Sequence, residues 1–262
     1  MGILGGRQHI TVNGVDLADF GVYISGSGVY NAPERDVKSV SVPGRNGDLT
    51  LDNGRYKNVK IKYPAFVVDD FAQNVGGLRD FLASVRGYAR LEDTYHPEEY
   101  RMGRVSGAFT VKPEDKLRGG NFDLTFDCMP QRWLKIGEAE LVHMWWATKY
   151  ATATGNVLNP TMMEALPLLR VTLSDASYAI ITIGDGSIKC TNTTGDMYID
   201  CELQEAYKVS DGSNMNQYLE LVDGAFPSLK AGENAVTVST SSTATSGVDR
   251  AVLYITPRWW RL

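Results

Sequence analysis

The feature that most restricts what this chain can fold into is how often its apolar residues fall on every second position, and how soon each such run is stopped. In NFDLTFDC, Phe122, Leu124, Phe126 and Cys128 alternate with Asn121, Asp123, Thr125 and Asp127. That is the pattern of an antiparallel strand with one buried and one wetted face. In RYKNVKIKY, Val59, Ile61 and Tyr63 share a face in the same way. Beyond residue 133 come LLRVTL, YAIITIGDGSIKC, DMYIDCELQEAY, QYLELV, AVTVST and RAVLYIT, separated by Gly-Asp-Gly, Asn-Thr-Thr-Gly-Asp and Asp-Gly-Ser. Short runs at close, turn-marked spacing predict an antiparallel sandwich. The 262 residues suit two domains, and Pro130 breaks the pattern. The expectation is therefore a mainly β protein, with domains at 1–132 and 133–262 and a boundary near 130–138.

One helix interrupts the strands. In DDFAQNVGGLRDFLASVRG, Phe71, Val75, Leu78, Leu82 and Val85 form one apolar stripe, at the spacing of an amphipathic helix. Asp69 or Asp70 is expected to cap its start, with Arg86 in the last turn and Gly87 at its end. Gly76 and Gly77 weaken the middle by about 1 kcal/mol each relative to Ala. Asn13-Gly14 reads as a two-residue hairpin turn, RVSGAFTV as a further strand, and STSSTATSG as a polar, low-complexity loop.

The stretch VSVPGRNGDLTLDNGRYKN raises the question of a phosphate cradle. Its order is wrong for one. A Walker loop ends in Gly-Lys-Ser/Thr, whereas here Asp48 follows Gly47 and a strand, not a helix, comes next. Pro43-Gly44 suits the centre of a type II turn, with Asn46-Gly47 directly after it. Asn53-Gly54 then reads as a second corner. Pro43, Gly44, Arg45, Asn46, Gly47, Asn53 and Gly54 are thus candidates for rigid corners of a hairpin that touches another subunit, with Arg45 a candidate for an inter-subunit ion pair.

No reactive centre emerges. Residues 1–132 hold 17 Lys and Arg against 17 Asp and Glu, and the rest hold 9 against 14. A protein that grips nucleic acid would show a basic stripe. The three histidines, His9, His96 and His143, are too scattered for a metal site, and HPEEY reads as a solvated tip. No G-x-S-x-G elbow supports a Ser-His-Asp grouping. No catalytic residue, metal or cofactor is expected. Cys128, Cys190 and Cys201 lack CxxC spacing and read as free, buried thiols in a reducing compartment. The first residues do not form a secretory signal and no run suits a membrane span, so a soluble protein made and kept inside a cell is expected, without membrane insertion.

Asp200 and Glu202 lie two apart, and a pair of carboxylates is what glycosidase chemistry uses. Alternation puts Ile199, Cys201 and Leu203 toward the core and the acids toward water. Tyr198 and Tyr207 stay open as glycan contacts on an outer face. The terminal PRWWRL sets Trp259 and Trp260 side by side, so in a strand one faces away from its own core. Both, with Arg258, are candidates for an inter-domain or inter-subunit anchor, packing within the monomer being the other reading. Trp145 and Trp146 pose the same question.

In this order and spacing, several segments carry a resemblance: FGVYISGSGVYNAPERDVKSVSVPGRNGDLTLDNGRYKN, GYARLEDTYHPEEYRMGRV, FDLTFDCMPQRWLKIGE, LNPTMMEALPLLRV, MYIDCELQEAY, FPSLKAGEN and PRWW. Over nearly its whole length the chain resembles the distal tail proteins of phages with long, non-contractile tails. The resemblance implies a β-rich, ring-forming first domain with one helix and a galectin-like sandwich as the second. It implies six copies in a ring at the tail tip, a hub between the tail-tube protein and the tail-associated lysin or spike protein, and in some relatives a hold on receptor-binding proteins. It implies a virion protein without enzymatic turnover, assembled in the host bacterial cytoplasm, through whose ring DNA passes without being gripped. With short loops in the second half, an extended arm there or an inserted carbohydrate-binding module is not expected. The alternative is a module that recognises host-surface glycans through the second domain.

Overall fold

The computed structural model describes residues 6–25, 30–114, 118–147, 152–174, 176–191, 195–240 and 250–262. It is mainly β, with one α-helix among the described residues. The chain divides into two compact units, Met1–Arg132 with Leu262, and Trp133–Arg261.

The first unit contains β1 (Ile10–Val12), β2 (Val15–Asp16), β3 (Val22–Ile24), β4 (Arg35–Val40), β5 (Leu49–Tyr56), β6 (Val59–Val68), α1 (Phe71–Ser84), β7 (Ala89–Asp93), β8 (Glu99–Val105), β9 (Lys112–Pro113) and β10 (Gly119–Cys128). β11 (Arg132–Leu134) follows at the border. One antiparallel sheet runs β2-β1-β7-β8-β10-β6-β3, with β9 alongside β10. Its spine is the β6–β10 ladder, from Gly119 opposite Val68 to Cys128 opposite Val59. That register puts Ile61, Tyr63, Ala65 and Val67 on the same face as Phe122, Leu124, Phe126 and Cys128, all of them buried. Val12 pairs with Val15 across Asn13-Gly14, whose φ values of 48° and 81° are those of the left-handed hairpin turn.

The helix lays Leu78 and Leu82 into this core. Its start differs from expectation. Asp70 stands at the cap position in a left-handed conformation and makes no side-chain bond to the helix. The Asn74 amide instead donates back to the Val68 and Asp69 carbonyls, each at 3.2 Å. The helix stops at Ser84, before Arg86 and Gly87. Gly77 has a packing reason: a Cβ there would lie 3.1 Å from the Phe20 ring, which itself stacks on Phe81 at 5.7 Å. The strand expected over RVSGAFTV is only partly formed. β8 ends at Val105, Gly107 turns to φ 80°, and Phe109 leaves the sheet edge to pack on Phe122 at 5.5 Å.

The second unit continues with β12 (Leu141–Ala147), β13 (Ala153–Asn159), β14 (Leu168–Ser174), β15 (Ala179–Ile183), β16 (Gly186–Cys190), β17 (Met197–Asp200), β18 (Glu205–Lys208), β19 (Leu219–Leu221), β20 (Gly232–Thr240), β21 (Arg250–Thr256) and β22 (Trp260–Arg261). All but β22, which pairs with β11, form two five-stranded antiparallel sheets, β12-β21-β14-β17-β18 and β13-β20-β15-β16-β19. Leu169, Val171, Ile199, Leu253 and Ile255 of one sheet meet Ile181, Ile183, Ile188, Val236 and Val238 of the other in a single core, as a sandwich requires. Most of STSSTATSG lies outside the described residues; its Ser239 and Thr240 end β20.

The two central glycines of α1 behave differently on substitution. At Gly76 an added Cβ would find no atom within 4 Å, so Gly76→Ala raises the unfolding free energy by about 1 kcal/mol, read as a higher urea midpoint. Gly77→Ala forfeits most of that gain because Phe20 must shift. Equal gains for both variants in equilibrium unfolding would contradict the contact between Gly77 and Phe20.

Candidate assembly interface

β4 and β5 pair with each other and with no other strand among the described residues. They form a two-stranded arm, and such a ribbon has little stability of its own. Opposed residues share a face: Lys38 with Leu51 and Val40 with Leu49 on one side, Val37 with Asp52 and Ser39 with Thr50 on the other. The first side is apolar toward the tip yet wet, with Val40 36%, Leu49 41% and Leu51 48% exposed. Both outer edges carry unpaired backbone groups, the usual template for a further strand.

Ion pairs line the arm. Arg35 Nε donates to Asp52 at 2.6 Å and its Nη1 to the Tyr56 hydroxyl at 3.0 Å. Arg55 bonds Asp36 at 2.7 Å, and Lys57 bonds Glu34 at 3.2 Å. The Gly54 amide and then the Arg35 guanidinium hold the Asp52 carboxyl below its ordinary value; Arg55 does the same for Asp36. At the tip, the Arg45 amide closes a turn on the Val42 carbonyl at 3.2 Å. Gly44 at φ 80° gives Pro43-Gly44 the type II geometry, and Gly47, after Asn46, also sits at φ 80°. Arg45 is exposed, with no ion pair among the described residues.

Asn53-Gly54 is a correction: it is no hairpin corner. It lies inside β5, where the register jumps from Val37–Asp52 to Arg35–Tyr56. Residues 53–55 therefore bulge opposite Asp36 alone. Gly54 takes φ 72°, and its amide donates to Asp52 Oδ1 at 2.8 Å. The dipeptide bends the arm midway.

The residues read as anchors are engaged inside their own unit. Trp259 is 6% exposed and belongs to the sandwich core, and Trp260 packs against that core while its indole N–H donates to the Glu164 carbonyl at 2.9 Å. Arg258, at φ 54°, turns the chain between β21 and β22. Gly137 allows the close approach, since a Cβ there would meet the Trp259 amide nitrogen at 2.6 Å. The Arg258 guanidinium grips Asp200 with two bonds of 2.9 and 2.8 Å. Asp200 is thus 3% exposed and Leu203 63% exposed, the reverse of the alternation expected, because β17 ends at Asp200 and residues 201–204 turn. Trp145 and Trp146 lie in β12, whose side chains fall outside those described.

Tyr198 and Tyr207 pair across β17 and β18 with ring centroids 5.5 Å apart. Arg170 opposes both Tyr198 and Tyr254, stacks on the Tyr254 ring at 3.7 Å and is clamped by Glu140 at 2.8 and 2.7 Å. His96 is not a solvated tip: its ring lies 2.9 Å from Asp93 and edge-on to Tyr30. Cys128, Cys190 and Cys201 are free and buried; burial pushes their thiols up, to about 11, 12 and 12. No cluster of metal-ligating side chains occurs among the described residues. An apolar groove of about 670 Å³ lies between Phe71, Val75 and Leu82 of α1 and Val105, Phe109 and Val111.

No family model matches the chain, and no curated protein sequence does. Among solved structures, the Dit (gp 19.1) protein of phage SPP1, called a paradigm of the hub adsorption apparatus in Gram-positive infecting phages, aligns over 98% of this chain and 100% of its own. The TM-score is 0.70 at 14% identity. The chain has the fold of that tail hub. Two structures of the phage P2 baseplate in its activated conformation, with Ca and with Sr, align over 95% of this chain and 98% of theirs at 10% identity, with TM-scores of 0.49 and 0.48. The arm and the sandwich both belong to the part that the hub fold covers. Sequence reading reached the arm through its turns but passed over its apolar face, although the parity of Val40, Leu49 and Leu51 carries that signal. It also passed over the Asp200–Arg258 pair, which joins residues 58 apart and leaves no local mark.

Burial pushes the Asp200 carboxyl up, but the Arg258 guanidinium and the Leu203 and Glu202 amides outweigh it and leave it below its ordinary value. Such a carboxylate stabilises the fold fully above its unfolded value near pH 3.9, and that contribution is lost as pH falls through the depressed folded value. Arg258→Ala costs about 2–3 kcal/mol at pH 7, less than for a fully buried pair because Arg258 keeps 27% of its side chain exposed. The gap between wild type and variant narrows below about pH 4. Urea unfolding at pH 7 and pH 3 measures both.

Proposed function

We propose that this chain is the structural hub of a phage tail tip. Six copies close into a ring that joins the tail tube to the tail-associated lysin or spike protein and the adsorption apparatus. The observation that carries this reading is the end-to-end likeness to the SPP1 hub protein, which spans both units at a TM-score of 0.70.

The chemistry of the arm supports it. Copies related by rotation about one axis meet through two unlike patches, and a ring results when the rotation closes. A ribbon with open edges and a wet apolar face is suited to be one such patch, because burial against a neighbour supplies the cover that its own unit does not. Turnover needs a converging set of titratable groups, and the buried Asp200, paired with Arg258, is spent on closing a turn. The protein is read as a non-enzymatic component of the virion tail tip, assembled in the host bacterial cytoplasm. DNA passes through the ring without being gripped, in keeping with the balanced charge of residues 1–132. Contact with a receptor-binding protein falls to the sandwich unit.

A second reading, recognition of surface glycans, is favoured by one observation. Tyr254, Arg170, Tyr198 and Tyr207 stand in register across four strands, a row of ring faces and a cation of the kind that stacks on sugars. A glycan array probed with the full chain separates the readings: a pure hub binds nothing, whereas a module loses its signal in Tyr198→Ala.

Native mass spectrometry of the purified chain is expected to give a closed oligomer of six. Leu51→Asp removes an apolar contact of about 1.5–3 kcal/mol and raises the dissociation concentration at least tenfold. Arg45→Ala raises it about two- to fivefold, as for an exposed ion pair. Both variants keep the wild-type circular dichroism spectrum. A solitary chain at every concentration, or assembly indifferent to both changes, would overturn the role given to the arm.

A further inference from the structure

The turn between β7 and β8 encloses a polar cluster inside the first unit. Asp93 accepts from the His96 amide at 2.9 Å and from the Tyr63 hydroxyl at 2.8 Å, and its Oδ1 lies 2.9 Å from His96 Nδ1. Arg132 donates to Glu99 at 3.3 Å. Two side chains are left with buried, unpartnered nitrogens: Nη1 and Nη2 of Arg101, which is 6% exposed, and Nε2 of His96. Both residues line one cavity of about 10 Å³, shared with Asp93, Glu99 and Arg132.

The donor and acceptor inventory decides what fits. Both Arg101 nitrogens are donors only, so their partner must accept. Beside a carboxylate oxygen, His96 Nδ1 carries the ring proton, and the neutral imidazole then leaves Nε2 as an acceptor. Its partner must donate. A halide or carboxylate satisfies the arginine but not the imidazole. The charges give no further reason for an ion, since the guanidinium groups of Arg101 and Arg132 are balanced by Asp93 and Glu99. Size points the same way, because about 10–15 Å³ accommodates one water and nothing larger.

We propose that this cavity is a structural water site, in which one water accepts from Arg101 and donates to His96 Nε2. The water completes the bonding of a buried cation that β8 would otherwise carry unsatisfied. It also ties the middle of β8 to the turn on which Tyr30, at the approach to the arm, rests its ring edge.

Three measurements on the full chain test this. In crystals grown with bromide replacing chloride, one water-sized density peak is expected within hydrogen-bond reach of Arg101 and His96, with no anomalous signal. A bromide peak there, or no density with Arg101 turned onto a protein acceptor, overturns the proposal. Nitrogen-15 spectra of the neutral His96 ring are expected to show the proton on Nδ1, and a proton on Nε2 overturns it. Oxygen-17 relaxation dispersion should count one long-lived water fewer in Arg101→Met than in wild type, and an unchanged count overturns it. Should that variant fail to fold, the first two readouts, made on wild type, still decide.

Discussion

Register is the constraint on which the rest of this structure depends. Because side chains alternate along a strand, a slip of one residue between β6 and β10 would exchange Phe122, Leu124 and Phe126 for Asn121, Asp123 and Thr125 at the core. The long ladder between those strands therefore fixes the face on which α1 packs. The sandwich obeys the same rule twice, since both of its sheets must present their apolar parity inward at once. At the edge of the first sheet the positive-φ turn at Asn13-Gly14 sets the β1–β2 register locally.

The arm is where that logic stops short of closure. Its strands have a register and its ion pairs line the backbone, but neither face joins a core among the described residues. Ion pairs in water contribute little each, so the pairs of Arg35, Arg55 and Lys57 shape the ribbon more than they stabilise it. A surface so organised and so uncovered is the physical basis for reading the molecule as one part of a larger object. The bulge at Asn53-Gly54 adds curvature, which a straight ribbon wrapping a neighbour would lack.

Much of this was legible in the residues. Alternation in NFDLTFDC and NVKIKY located the spine of the first unit, the stripe from Phe71 to Val85 located α1, and the short runs after residue 133 marked the sandwich strands. What escaped had non-local causes. Asn53-Gly54 has the composition of a corner, yet Asp52 captures the Gly54 amide and Arg55 reaches Asp36, so the strand runs through it. Asp200 keeps strand parity only until β17 ends, and its burial is decided by Arg258 far along the chain. Phe109 obeys an alternating pattern, but Gly107 lets it leave the sheet for Phe122. His96 looked like surface because Pro97 and two glutamates surround it, while its ring partners, Asp93 and Tyr30, come from elsewhere.

The three cysteines show what such packing does beyond stability. Each sits in a dry core that holds its thiol protonated at neutral pH, and only the thiolate attacks disulfides or oxidants. Exposure to air therefore leaves these three side chains chemically unchanged. Their protection is hydrocarbon shielding, with no disulfide among the described residues.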